Sequence, residues 1–370
     1  MTRLDAASIG RRIAEARARA NLTQHDLASE VSLDRSGVAK IESGLRKVSA
    51  LELSAISRVL GQRLEWFLAE PTPAIMSHRS HEGLDTEDSQ LDVELEKLSR
   101  DVGLVLSLDH DWELATCETQ PRPSNHAEAE ELALRARVLM AVDPGEPLRD
   151  LVAAAAKIGL LAFSHNFGPD TADAATVLLE VGAISIINSA NKVGRRRLSL
   201  AHEIAHCLVA DEYTVDWSAG TSQNGLEGIF DRFARALLAP AAACTAFWNS
   251  TRQSYDLRTS ALITASHYRV DMATLARRLT ELELVDANDA RAIREVRTTK
   301  ADIVEHNLFV PSDLRDTSLP ADYAKSVLRL YRHERISSER CLDLLQGTYD
   351  LEDLPELPER QESEIWKFVS

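Results

Sequence analysis

Apolar residues in the first 70 positions recur at three- and four-residue spacings, the period of amphipathic helices. Ile9, Ile13 and the run Ala16 to Ala20 form one stripe, which ends near Asn21. Thr23 is placed to cap a second helix reaching Val31, and Asp34 a third, DRSGVAKIES, which Gly44 stops. Ser49 caps a fourth, carrying Leu51, Leu53, Ile56 and Leu60. A short fifth helix holds Leu64, Phe67 and Leu68. These helices within about 70 residues predict a compact bundle.

The pattern then breaks. PTPAIMSHRSHEGLDTEDSQ (71–90) is polar and carries Pro, Ser, Asp and Glu, which predicts a linker that does not weld its neighbours together. LDVELEKLSRDVGLVL reads as a connecting helix, and a second break begins near Glu118. A helix is expected from there to about Val142, another over 151–158, and then strands in GLLAF, ATVLLEV and AISIIN. Helical patterning returns over 199–210 and 226–238, the latter closed by Pro240, and again near 258–268 and 272–282. The tail from Leu319 predicts two helices split near 335–337. It serves as a terminal cap or as a partner surface. The expected architecture is therefore multidomain and mainly α, with a five-helix bundle, an α+β domain built on a small sheet, and a helical C-terminal region. The expected boundaries are 1–70, 71–125, 126–290 and 291–370.

Composition sets the setting. The 370 residues are 44% hydrophobic and 27% charged, which excludes a wholly disordered or collagen-like chain. No apolar run approaches the roughly 18–20 residues of a membrane span, and the start of the chain lacks an apolar signal core, so no membrane partner is expected. Cys117, Cys207, Cys244 and Cys341 are scattered without a CxxC pair, which favours a reducing, cytoplasmic location over a disulfide framework. The net charge is −16, yet residues 1–70 hold eleven Lys/Arg against nine Asp/Glu, a net of +2. If any part meets the phosphates of DNA, it is this first segment, because an acidic body is repelled by them.

Between Leu22 and Gly44 the chain resembles the Xre/Cro-type repressors. The matching residues are Leu22-Thr23-Gln24, Leu27-Ala28, Val31-Ser32, Val38, Ile41-Glu42 and Gly44, with Ser49, Leu53 and Leu60-Gly61 following in the fourth helix. Leu27, Ala28, Val31, Val38 and Ile41 make a core between two crossed helices. Arg35, Ser36, Ala39 and Lys40 are left on the outer face of the third helix. In a helix-turn-helix that face meets base edges in the major groove of double-stranded DNA, here an operator. Gln24 is placed to reach a phosphate, and Arg46 and Lys47 to bracket the backbone. If the module acts as a homodimer, it reads two half-sites about one helical turn apart. The alternative is a bundle used only for dimerisation or protein binding. Gly37 inside the recognition helix leans that way, costing about 0.8–1.0 kcal/mol relative to Ala.

The second chemical signal is His202-Glu203-Ile204-Ala205-His206. Positions i and i+4 of a helix lie one above the other, so His202 and His206 can share a metal ion, with Glu203 beside it to take a proton from water. Neutral imidazoles suit Zn2+. A catalytic zinc needs a third protein ligand, and Glu227 lies 21 residues after His206. Asp231, four residues further on the same helix face, can accept the N–H of a ligating histidine. His165, Tyr213 and His267 are oxyanion candidates by residue type alone, and Arg195–Arg197 is expected to cover the surface before the active-site helix.

These blocks resemble the ImmA/IrrE metallopeptidases over roughly 127–285. The carriers are Arg195 to Ala201 leading into His202–His206, then Glu227-x-x-x-Asp231-x-Phe233-Ala234-x-x-Leu237-Leu238-x-Pro240, then Tyr268-Arg269-Val270 through Leu279. Phe230-Asp231 stands where that family usually has Ala-Asn. The resemblance implies a gluzincin-like zinc endopeptidase that cleaves a partner regulator encoded nearby, in phage, stress or toxin–antitoxin-like control. The alternative is a transcription factor whose zinc domain senses or scaffolds without proteolysis.

Overall fold

The structure is a computed structural model that describes residues 6–20, 22–31, 33–60, 64–68, 76–79, 90–116, 118–169, 173–179, 181–209, 223–310 and 312–357. Tyr213 lies outside them. The chain divides into two units, one of residues 1–74 with 85–88, the other of 75–84 with 89–370.

The first unit is the expected bundle: α1 (Ala6–Arg19), α2 (Gln24–Glu30), α3 (Arg35–Glu42), α4 (Ala50–Val59) and α5 (Leu64–Leu68). Local chemistry fixes each start. Thr23 with Asp26, and Ser49 with Glu52, form reciprocal capping boxes, and the Asp34 carboxylate accepts the Gly37 amide at 2.5 Å. A Cβ at Gly37 would come within 2.7 Å of that Asp34 oxygen, the end of a flexible side chain that can shift. Gly44, at φ +73°, ends α3 in a conformation that glycine adopts without strain. Ile13, Leu27, Val38, Ile41, Ile56 and Phe67 form the core. Gly10 lets α1 touch the end of α3, where a Cβ would overlap the carbonyl oxygens of Ile41 and Glu42.

The second unit is built on a four-stranded sheet in the order β1-β3-β4-β2. Its strands are β1 (Met76–Arg79), β2 (Leu160–His165), β3 (Ala174–Leu178) and β4 (Ala183–Asn188). β2 and β4 are parallel, while β3 runs antiparallel to both β4 and β1. β1 lies inside the stretch expected to be a plain linker, and no apolar alternation announces it.

Strands β2, β3 and β4 are buried on both faces, which is why they read as continuous apolar runs. Leu160, Ala162, Ala174, Ala183 and Ile187 face one core. That core is completed by α7 (His126–Leu139), α8 (Leu151–Ala156), α9 (Val193–Val209), α10 (Gln223–Leu238), α11 (Ala241–Ser254), α12 (Leu257–Tyr268), α13 (Met272–Glu281) and α14 (Ala287–Glu295). Leu161, Phe163, Ala175, Val177, Ile184 and Ile186 face a second core. There the expected connecting helix, α6 (Gln90–Leu108), meets the tail helices α16 (Ala321–Arg332) and α17 (Ser338–Leu344) through Leu95, Leu98, Val102, Tyr323, Val327 and Leu344. The short helix α15 (Lys300–Glu305) is started by Thr299.

The helix that carries His202 and His206 begins earlier than the pattern suggests. α9 starts at Val193, so Arg195–Arg197 form its first turns rather than a surface run before it. Arg197 is fully buried, paired with Asp313 at 2.5 Å and donating to the Leu148 carbonyl, and Arg196 donates to the Ser189 carbonyl. Burial of the Arg197 guanidinium is offset by a charged partner at one terminal nitrogen and a carbonyl at the other, while its Nε has no hydrogen-bond partner among the described residues.

Candidate metal centre

Helices α9 and α10 pack against each other and set the site's geometry. His202 and His206 lie on one face of α9, ring centroids 5.1 Å apart. Their Nε2 atoms approach to 3.2 Å. Glu227, on the first turns of α10, brings Oε2 to 3.0 Å from His202 Nε2 and Oε1 to 3.9 Å from His206 Nε2. Among the described residues, these are the three His/Cys/Asp/Glu side chains whose ligand atoms converge, all within 4.8 Å of one another.

The donor set fits a divalent metal. Ligand atoms bound tetrahedrally at about 2.0–2.1 Å sit ~3.3 Å apart, close to the 3.0 and 3.2 Å seen here. Two imidazoles and one carboxylate leave a fourth position for a reacting group. Asp231 Oδ1 lies 3.0 Å from His202 Nδ1. A carboxylate there favours the tautomer with hydrogen on Nδ1 and the lone pair on Nε2, facing Glu227 and His206.

The surroundings hold this arrangement still. Phe230 stands edge-on to both imidazoles, with centroid distances of 6.1 Å to His202 and 4.7 Å to His206. Phe233, Leu237 and Leu238, further along α10, are fully buried and fix the helix in the core. His202, Glu203 and His206 are buried, while Glu227 and Asp231 are half-buried and open the site on one side. Burial pushes the Glu227 carboxyl up. When His202 and His206 are protonated, the hydrogen bond to His202 and the positive charge on both rings outweigh it and hold Glu227 below its ordinary range.

An ion-pair network anchors α10 from behind. Arg235 binds Glu281 at 2.9 Å, and Arg232 binds Glu130 at 2.6 Å and Glu281 at 3.2 Å. Fully buried Arg278 grips both Glu130 oxygens and the Ala239 carbonyl. Pattern reading missed this network, since nothing in the local sequence pairs Glu130 with Arg278 across 148 positions. His165 and His267 take no part in the converging cluster. His165 lies beside Phe167, and His267 stacks on Phe247 at 3.9 Å.

In the first unit, Arg35, Ser36, Lys40 and Lys47 are exposed and Ala39 is half-buried, as expected for an outer face. Gln24 and Arg46 differ from expectation. The Gln24 amide donates to Glu42 at 2.7 Å, joining the Arg17–Glu42 pair, and Arg46 binds Glu52 at 2.5 Å. Both therefore have partners inside the bundle before any phosphate arrives.

Comparison with known proteins agrees with both motifs. Residues 13–67 match the helix-turn-helix family, and residues 159–280 match the IrrE N-terminal-like domain of the M78 peptidases. No curated protein matches the chain. Among solved structures, the Bacillus thuringiensis PlcR complex with the peptide PapR7 and DNA aligns over 92% of each chain, at 12% identity and a TM-score of 0.18. So low a score carries no argument about either unit.

Proposed function

We propose that this chain, an Xre-type helix-turn-helix domain joined to an ImmA/IrrE-like M78 peptidase domain, is a zinc-dependent endopeptidase that acts on a regulatory protein at a DNA site. The observation that carries the reading is the convergence of His202 Nε2, His206 Nε2 and a Glu227 oxygen, with Asp231 behind His202. When bound there, zinc supplies Lewis acidity, polarising a peptide carbonyl and lowering the pKa of water toward 7.

The chain's own residues do the rest. Glu203 accepts a proton from the attacking water and returns it to the departing amide nitrogen. Asp231 fixes the His202 ring, and Phe230 keeps both imidazoles from rotating. The buried side of α9 excludes solvent behind the reacting atoms. The DNA-binding unit concentrates this activity at one locus.

Metal analysis tests the reading first: one zinc per chain is expected, lost in His202→Ala/His206→Ala. Stoichiometric zinc in that double variant would move the metal elsewhere and defeat the assignment. Glu203→Gln keeps the ligands and removes the base, so zinc and DNA binding persist while proteolysis stops. A Glu203→Gln chain that regulates its promoters like wild type under every inducing condition would favour the sensor or scaffold instead.

A further inference from the structure

The strand β1 is an unusual neighbour for an active-site helix. It comes from the segment that joins the two units, and it pairs antiparallel with β3, Met76 opposite Val177 and Arg79 opposite Ala174. Without it, β3 would be the outer strand of the sheet. Both β3 and β1 pack against α9, the helix that carries His202, Glu203 and His206. An outer strand offers a row of unpaired N–H and C=O groups, which extended peptides use by adding a strand of their own. Main-chain bonding then supplies affinity whatever the side chains. That fits a pairing made by a segment with no apolar alternation.

We propose that Met76–Arg79 lies on β3 as a bound peptide, and that the segment joining the two units is the peptidase's substrate in cis. The inference rests on the peptidase reading above. Tethering gives the segment an effective concentration on the order of millimolar, so it outcompetes most free peptides for the same edge. The reaction is simple hydrolysis. Water's hydroxyl adds to the acyl carbon, the C–N bond breaks, and the amine leaves with the second proton, so no redox partner is needed. The cut separates the DNA-binding unit from the peptidase unit and ends whatever control depends on their being one chain.

Two measurements on the full chain test this, one independent of activity. In the metal-free chain, the amides of Ala174 and Thr176, which turn toward β1 while those of Ala175 and Val177 turn toward β4, are expected to exchange hydrogen at least ten-fold more slowly than in Ser77→Pro/His78→Pro. Successive N–H groups on a strand point in opposite directions, so one of the two prolines always removes a donor facing β3. In the zinc-loaded chain, a single cut between residues 69 and 89 is expected by mass spectrometry. Its first-order rate should not vary with protein concentration, and Glu203→Gln should abolish it.

Exchange at Ala174 and Thr176 that is equally fast in wild type and variant would overturn the inference. A zinc-loaded chain that digests casein yet keeps its joining segment intact would also overturn it, leaving the peptidase reading standing. A cut whose rate rises with concentration would refute the cis assignment. Stoichiometric zinc with neither casein nor the joining segment cleaved would defeat the peptidase reading and the inference together.

Discussion

Asp231 offers the most discriminating single position, because two substitutions there separate charge from geometry. Its Oδ1 sits 3.0 Å from His202 Nδ1, on the far side of the ring from the atom that meets Glu227. Asp231→Ala removes the acceptor and frees the ring to rotate. Losing an outer partner of a ligating histidine lowers metal affinity about 10–100-fold, which is about 1.4–2.7 kcal/mol. Asp231→Asn keeps an oxygen in nearly the same place and loses the charge. A charged hydrogen bond contributes about 1 kcal/mol more than a neutral one, so Asn should cost only about five-fold. The half-exposed carboxylate argues for the lower end of both ranges. Competition with a chromophoric chelator measures both variants against wild type at fixed pH. The expected order is wild type, then Asn, then Ala, with Ala and Asn clearly separated. Equal affinity for wild type and Asp231→Ala would refute the argument, since His202 would then need no orienting partner. Equal losses for Asn and Ala would show that charge, not orientation, is what Asp231 supplies.

Other outcomes follow from the same contacts. Glu130→Gln should destabilise the larger unit by roughly 2–3 kcal/mol at neutral pH, below the 3–5 kcal/mol of a broken buried pair because Glu281 remains beside Arg232 and Arg278. Chemical denaturation of the two chains measures it. Burial pushes the Glu130 carboxyl up, but Arg278 and Arg232 together hold it below its ordinary value. Its contribution is therefore complete above an unfolded carboxylate pKa of about 4.3 and is lost as pH falls through the lower folded value. The gap between wild type and Glu130→Gln should close in acid, and a gap that widens would reverse the sign of this reasoning. Gly10→Ala should destabilise the helix-turn-helix unit by 1–3 kcal/mol, the usual range for overpacking, and a calorimetric scan should leave the larger unit's transition in place. Arg35→Ala should relax sequence preference at one base pair by about 1–3 kcal/mol, whereas Lys47→Ala should lower the salt slope of binding by about one without changing preference. Binding titrations over a salt series would separate the two.

The helix starts of the first unit and the juxtaposition of His202 and His206 were legible because each depends on residues close in sequence. A capping box needs positions three apart, and His202 and His206 need one turn of helix. Glu227 and Asp231 were legible as a pair because a carboxylate repeat of four shares one face. Arg196 and Arg197 were not. A run of arginines reads as surface, and what buries this one is Asp313 and two carbonyls, at Leu148 and Ser189, supplied from elsewhere. Gln24 likewise looked available for phosphate until Glu42 came alongside it. β1 escaped for a different reason. Met76–Arg79 has no alternation of apolar and polar residues to read.

The second core has a bearing on how this peptidase-like domain could be moved between proteins. The stretch recognisable as peptidase, 159–280, supplies only one wall of it. The opposite wall comes from α6, before that stretch, and from α16 and α17, well after it. Excised alone, the stretch would present Leu161, Phe163, Val177, Ile184 and Ile186 to water. At about 1.5–3 kcal/mol for each such side chain, that is roughly 8–15 kcal/mol, as much as a whole domain's usual stability. The transferable module is therefore the span from α6 through α17. A recombination event that grafts this domain onto another protein has to carry both ends, so new partners are joined outside them.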